Sequence, residues 1–229
     1  MIIVRPSSER GHANYGWLDT YHSFSFGSYF SRHHMGFRSL RVINEDYVAP
    51  MSGFETHPHQ NMEIFTYMVS GTLHHRDSMG KESYLQPGQV QLISAGSGIT
   101  HSEHNSDQHE SVHLLQVWIK PEQLNIEPSY QEKKVDVADR LSLIASFDGR
   151  NESLIIRQRA SIYAANFLAP QNIQLDLENG EHAWVQVISG EIEVFETSLH
   201  AGDGAAISGV RSIPLKCREE AHFLLFDLL

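Results

Sequence analysis

Cysteine is almost missing from this chain. Cys217 is the only one among 229 residues, so no disulfide can close within the chain, and a reducing compartment fits. A structural thiol is the expected role of Cys217, because a reactive thiol needs an electropositive setting. Long apolar runs are missing too. No stretch approaches the roughly 20 residues of a membrane helix, and the apolar run in MIIVRPSSER is too short for a signal peptide. A cytoplasmic protein without a membrane partner is therefore expected. Positive charge is in short supply: 17 Lys and Arg stand against 28 Asp and Glu, a formal net charge of -11. Such a surface repels nucleic-acid backbones and anionic membranes, so no nucleic-acid partner is expected. CxxC pairs, phosphate-binding loops and nucleophilic triads find no support, and helix signals are few. The length suits one large β domain or two small ones.

What is present is a succession of short runs rich in Val, Ile, Phe and Tyr. SLRVINEDYV (39–48), EIFTYMVSG (63–71), QVQLISAG (89–96) and VHLLQVWI (112–119) are separated by Gly, Asn, Asp and Pro. That spacing predicts an all-β sandwich or barrel, and Met79-Gly80, Pro87-Gly88 and Asn179-Gly180 supply turns. The polar segment 120–139 contains two prolines and reads as a linker. Behind it the pattern returns. VISGEIEVF (187–195) matches MVSGTLHH (68–75), and LHAGDGAAISG (199–209) matches LQPGQVQLISAG (85–96). This is an internal duplication of one β unit of about a hundred residues. It predicts an N-terminal barrel over 1–125, then a linker and a second barrel over 126–229.

The histidines are unevenly spread. Of 15, all but His182, His200 and His222 lie at or before His113, and histidine is the commonest metal ligand. In Thr56-His57-Pro58-His59, residues i and i+2 of a strand present two imidazoles on one face. Pro58 lacks a backbone donor and marks an edge or an irregularity. In Thr100-His101-Ser102-Glu103 the same parity pairs a third imidazole with a carboxylate. If the two strands face one barrel interior, three histidines and a carboxylate converge. Such nitrogen and oxygen donors suit one divalent transition metal, Fe(II) first, with Mn, Co, Ni, Cu or Zn as alternatives. Four protein ligands on an octahedral ion leave two open positions, as in non-haem iron oxygenases.

These residues resemble the cupin superfamily. Its first motif reads here as Gly53, His57, His59, Glu63 and Gly71, with altered outer spacings, and its second ends in Gly98, His101 and Asn105. More narrowly, the chain resembles the bacterial-type bicupins of the pirin family. The resemblance rests on RGHANYGWLDTYHSFSFGSYF (10–30), MGFRSLRVIN (35–44), THPHQNMEIFTYMVSG (56–71), DSMG (77–80), SAGSGITHSEHN (94–105) and LLQVWI (114–119). It implies two tandem jellyroll-like cupin barrels with metal only in the first. It implies His57, His59, His101 and Glu103 as ligands, with Glu103 also the catalytic group. It also implies an activity, since several members (quercetinases) open the central ring of flavonols with O₂. The expected partners are a small phenolic substrate and O₂, acting on a monomer. The alternative is a non-enzymatic regulator whose binding depends on the metal.

Other residues carry weaker expectations. Glu63 shares the parity of His57 and His59, and with Glu103 as ligand it is expected to orient an imidazole N–H from outside the ligand set. His33, His34, His74, His75, His104 and His109 read as solvated surface. His113 reads as a satisfied core histidine, and Asn105 as a partner of a ligand or a turn. The aromatics Tyr21, Phe24, Phe26, Tyr29 and Phe30 read as packing, with a substrate pocket as the other option. In the second repeat, Asp176 and Glu178 fall opposite His57 and His59, and Leu215 and Cys217 opposite His101 and Glu103. That barrel is expected to hold no metal.

Overall fold

The computed structural model describes residues 1–229 and is built almost wholly of strands. The first twelve are β1 (Ile2–Arg5), β2 (Gly11–Asn14), β3 (Leu18–His22), β4 (Leu40–Val48), β5 (Ser52–His59), β6 (Glu63–Ser70), β7 (Leu73–Asp77), β8 (Glu82–Leu85), β9 (Gln89–Ser94), β10 (Ile99–Asn105), β11 (Val112–Ile119) and β12 (Ser129–Lys134). The rest are β13 (Ser142–Ser146), β14 (Leu154–Ile155), β15 (Ala160–Phe167), β16 (Gln171–Asp176), β17 (His182–Val194), β18 (Thr197–His200), β19 (Gly204–Ser208), β20 (Ser212–Cys217) and β21 (Ala221–Leu228). All four apolar runs picked out in the sequence form strands, β4, β6, β9 and β11.

The chain folds as two compact units. One is Gly11–Lys134; the other combines Met1–Arg10 with Val135–Leu229. The first holds a seven-stranded sheet, β12-β9-β6-β11-β4-β3-β2, and a four-stranded sheet, β5-β10-β7-β8. Alternation along each strand sorts the side chains. Met68, Leu114, Leu18 and Val48 of the large sheet pack on Leu73 and Leu85 of the small one. Four residues from Met68 along β6, Ile64 packs with Ile93 of β9 and Ile99 of β10. Between these apolar layers the same inner faces carry a polar belt. The large sheet supplies Thr20, Asn44, Asp46, Thr66, Gln91 and Gln116, and the small sheet supplies His75, His101 and Glu103, all buried. Each fully buried aliphatic side chain contributes about 1.5–3 kcal/mol, and these layers hold the polar groups in place.

The second unit repeats the plan. Its order β19-β17-β21-β15-β13 parallels β9-β6-β11-β4-β3, and β16-β20, followed by the far half of β17 and by β18, parallels β5-β10-β7-β8. The duplicated Ser-Gly pairs explain one detail. Gly71 (φ +77) and Gly190 (φ +72) adopt left-handed backbone, and a Cβ there would lie 2.9 Å from the Ser111 carbonyl oxygen and 2.2 Å from that of Glu220, respectively. Only glycine fits at both. The strands of this unit enclose one large apolar cluster, which includes Val185, Val187, Leu215, Cys217, Phe223 and Leu225.

The unit boundaries depart from the expected break after residue 125 at both ends. β1 pairs antiparallel with β19, so the first ten residues belong to the second unit. Within the supposed linker, β12 pairs antiparallel with β9. Its sequence, SYQEKK, is polar because it lies at a sheet edge; charged side chains are common on edge strands and hide them from hydropathy.

Candidate metal centre

Strands β5 and β10 pair antiparallel, setting His57 opposite His101 and His59 opposite Ile99. The register then shifts, so that Glu103 faces Phe54. Two residues of β5, Glu55 and Thr56, oppose Ser102 alone, which is a bulge. It brings Phe54 and His57, three apart, to the same cavity. Strand β5 is the edge of its sheet, which accommodates the missing donor of Pro58. Gly53 permits the close approach of the two strands, since a Cβ there would lie 2.3 Å from the Glu103 carbonyl oxygen.

Three imidazoles come together. Ring centroids are 4.8 Å apart for His57 and His59, 4.5 Å for His57 and His101, and 4.9 Å for His59 and His101. Their donor atoms lie within 4.8 Å of one another. His57 Nδ1 donates to the Glu55 carbonyl at 2.7 Å, which leaves its Nε2 with the lone pair a metal needs. His59 Nε2 and both ring nitrogens of His101 are buried without a hydrogen-bond partner. Orphaned buried nitrogens are costly, and here they fit a cation. Burial, then the neighbouring His101 and His57, lowers the His59 pKa to about 4. Burial likewise lowers that of His101, with His57 and His75 adding to it against the pull of Glu103. Both rings are therefore neutral at pH 7, as metal ligands must be.

Glu103 is fully buried in a second donor group with His75 and His101. Gln91 Nε2 donates to its Oε1 at 2.5 Å, and Gln116 Nε2 to its Oε2 at 2.9 Å. Burial opposes ionisation of Glu103, but His101, the Gln116 amide, His75 and His57 outweigh it and hold the carboxyl below its usual range. The two glutamines are functional candidates that the sequence reading missed. Their signal was a polar residue on the inner parity of an apolar strand, VQLIS and LLQVWI.

A cavity of about 320 Å³ opens beside these groups. Leu18, Phe26, Phe54 and Trp118 give it apolar walls, while His57, His59 and Glu103 line one side. Thr20, His22, Asn44 and Asp46 line it from the large sheet. Its volume is within the range of small-molecule sites. His22 Nδ1 is 2.8 Å from Asn44 Oδ1. Asp46 Oδ1 is buried and unpartnered. Burial pushes the Asp46 carboxyl up to about 7, with Glu103 and Glu45 adding to the effect. The folded protein therefore keeps a proton there that the unfolded chain loses near pH 4. This group's favourable balance is complete below pH 4 and is lost as pH rises through about 7. The loss is at most about 4 kcal/mol. Metal-free Asp46→Asn is expected to melt above the parent at pH 8, with the gap closing by pH 4; an equal gap at both pH values would refute the assignment.

Two expectations need correction. Glu63 does not face the imidazoles. It pairs with Ser94, whose Oγ donates to its carboxylate at 2.8 Å, on the face of β6 opposite Ile64 and Thr66. Strand parity does not survive the turn at Gln60–Met62, where Asn61 has φ +52. His75 is not at the surface but wholly buried, with its ring 5.4 Å from that of His101. Its alternation with Leu73 and Asp77, whose side chains are buried too, was the available signal. Asn105 holds a turn, donating to the Val48, Ala49 and Glu110 carbonyls. His113 stacks on Tyr47 and lies 3.0 Å from Glu45. His74 stacks on Tyr84, and His104 is half-buried near Glu55. Among the aromatics Phe24 is buried packing and Phe30 is exposed, but Phe26 lines the cavity.

In the second unit, β16 and β20 occupy the places of β5 and β10. Ile173 faces Leu215 and Leu175 faces Ile213, and Leu215 and Cys217 belong to the apolar core. Burial pushes the Cys217 thiol up. Asp176 is exposed at the strand end, and Glu178 is ion-paired with Arg150, so the alignment that set them opposite His57 and His59 does not describe the interior. Metal analysis of chelator-free protein is expected to give about one ion per chain, as one ligand set requires, unchanged by Asp176→Asn or Glu178→Gln. A second tight ion lost in either variant would contradict this.

Comparison with known proteins agrees with this architecture. Residues 3–119 match the family profile Pirin, and residues 143–228 match the profile of the quercetinase C-terminal cupin domain. The chain is 40% identical over 228 residues to quercetin 2,3-dioxygenase of Escherichia coli, covering 100% of this chain and 99% of that protein. The crystal structure of YhhW from Escherichia coli superposes with a TM-score of 0.97 at 40% identity, covering 100% of this chain and 98% of the other. Bacterial pirin YhhW in complex with nickel(II) gives a TM-score of 0.95 at 39% identity, covering 100% and 99%.

Proposed function

Because this chain belongs to the pirin family of two-barrel cupins, we propose that it is a metal-dependent dioxygenase that opens the central ring of a flavonol-like phenol with O₂. The observation that carries this reading is the set of orphaned imidazole nitrogens of His59 and His101 beside His57 and Glu103, at the wall of a mostly apolar cavity. His57, His59, His101 and Glu103 would hold the ion. The similar Escherichia coli protein, crystallised with nickel(II), supports a divalent metal here. When bound, such an ion supplies Lewis acidity toward an enol or phenol oxygen and redox access to O₂.

The chain supplies the rest. Glu103, ionised at neutral pH and fixed by two carboxamides, would take the proton of a substrate hydroxyl. Trp118 stands edge-on to His59, with ring centroids 5.0 Å apart. Phe26 stands edge-on to Trp118 at 5.3 Å. Together they form rigid apolar walls that suit a flat ring and exclude water. The test is O₂ uptake by metal-loaded protein with quercetin, with carbon monoxide and the ring-opened product measured in parallel. Uptake that depends on both quercetin and metal is expected. Stoichiometric metal with no uptake on any of a panel of flavonols would overturn the enzymatic reading.

A further inference from the structure

Buried beside the three imidazoles lies a fourth that the ligand set does not use. His75 has a fully buried side chain, and its Nε2 lies 3.2 Å from Asp77 Oδ2 in an equally buried carboxylate. Asp77 is fixed in turn, because its Oδ1 accepts the Met79 and Lys81 backbone amides at 2.9 and 3.0 Å. A carboxylate only accepts, so His75 Nε2 carries a proton, and in the neutral ring Nδ1 presents a lone pair. That Nδ1 is buried without a partner. Tyr130 covers one face of the ring, with centroids 4.8 Å apart. Across the strands, Asp77 is opposite His101 and His75 opposite Glu103.

His101 is common to both donor groups, His57/His59/His101 and His75/His101/Glu103. An imidazole that gives one nitrogen to a metal keeps an N–H on the other, and in a dry interior that N–H needs an acceptor. On the metal reading above, we propose that His75 Nδ1 is that acceptor, so that Asp77, His75 and His101 form one relay that fixes the tautomer and aim of His101. His75 and Asp77 are then positioning residues for the metal centre, in contact with neither metal nor substrate.

Zinc is the probe, because it is diamagnetic and closed to redox chemistry. In zinc-loaded full-length protein, long-range ¹H–¹⁵N spectra are expected to show His101 protonated on its non-ligating nitrogen, with slow water exchange and a coupling across the hydrogen bond to an unprotonated His75 Nδ1. Two variants follow. His75→Phe keeps a ring against Tyr130 but removes the acceptor. Asp77→Asn keeps an oxygen for the turn amides but sets a donor against His75 Nε2. That forces the His75 proton to Nδ1, facing the His101 N–H. Both are expected to weaken zinc binding in chelator competition by about 10–100-fold, the scale of outer-partner changes. In Asp77→Asn the His75 proton should move to Nδ1 in a folded protein, a change that loss of packing alone would not produce. Zinc held through His101 with parent affinity in both variants would overturn the relay. So would a His101 N–H exchanging freely with water in the parent, a measurement that needs no variant to fold. Failure of the parent to bind zinc through His101 would instead reject the metal centre itself.

Discussion

His101→Ala protein, purified without chelators, is expected to carry almost no metal and to show no turnover, while remaining folded. His101 belongs to both donor groups and is buried, so its loss takes a nitrogen from each. The loss of affinity should exceed the roughly 10–100-fold typical of residues that only touch a ligand. The fold should survive, because the apolar layers above and below the polar belt are complete without an ion. Removing the ring leaves a void, which is destabilising. It also removes two buried nitrogens that have no partner in the metal-free protein, which offsets part of that cost. The metal-free variant should therefore melt close to the metal-free parent, whereas only the parent should gain stability on adding metal. Metal content, melting curves with and without nickel(II), and O₂ uptake check this together. Stoichiometric metal in the variant would remove His101 from the ligand set.

Glu103→Gln is expected to abolish turnover and weaken metal binding, and Glu63→Gln to leave metal content unchanged. In the first variant an –NH₂ replaces a carboxylate oxygen that accepts from Gln91 or Gln116. Donor then meets donor, and the charge that balances the cation is gone. Gln91 can relieve the clash by turning its amide, since its Oε1 is buried without a partner. The protein should therefore fold, and the loss should appear in kcat and metal affinity rather than in yield. Glu63 lies on the other face of β6 with Ser94, so its amide should be felt in stability alone. Metal analysis with steady-state kinetics decides between them, and metal loss in Glu63→Gln would restore it to the site.

The two histidine motifs were legible because strand alternation is local. Spacings of two within Thr56–His59 and Thr100–Glu103 survive any tertiary arrangement. The bulge at Glu55 and Thr56 was not legible, since it arises from pairing with β10 and leaves no mark in composition. Glu63 failed for a related reason: a turn resets the phase of alternation. His75 was hidden by His74, because two adjacent histidines read as surface although one must point inward. Gln91 and Gln116 looked like isolated polar residues in apolar strands, and only their convergence on Glu103 gives them meaning. The duplication was readable in Ser70-Gly71 and Ser189-Gly190, but the ligand positions of the second unit were not. Aligning backward from that glycine carried the register past the start of β17 and onto the exposed end of β16.

The pairing of β1 with β19 has a consequence for how the chain is made. Ile2 to Arg5 find their partners at Ile207 to Gly204, so a strand synthesised early must wait for most of the sequence to follow before it can dock. Pairings this distant in sequence are slow to form, and a waiting β segment is an aggregation hazard during synthesis. β19 has the reciprocal problem, because until β1 arrives its edge is open to other chains. Deleting the first five residues should therefore reduce soluble yield far more than one short edge strand would suggest, with the metal-binding unit itself left whole.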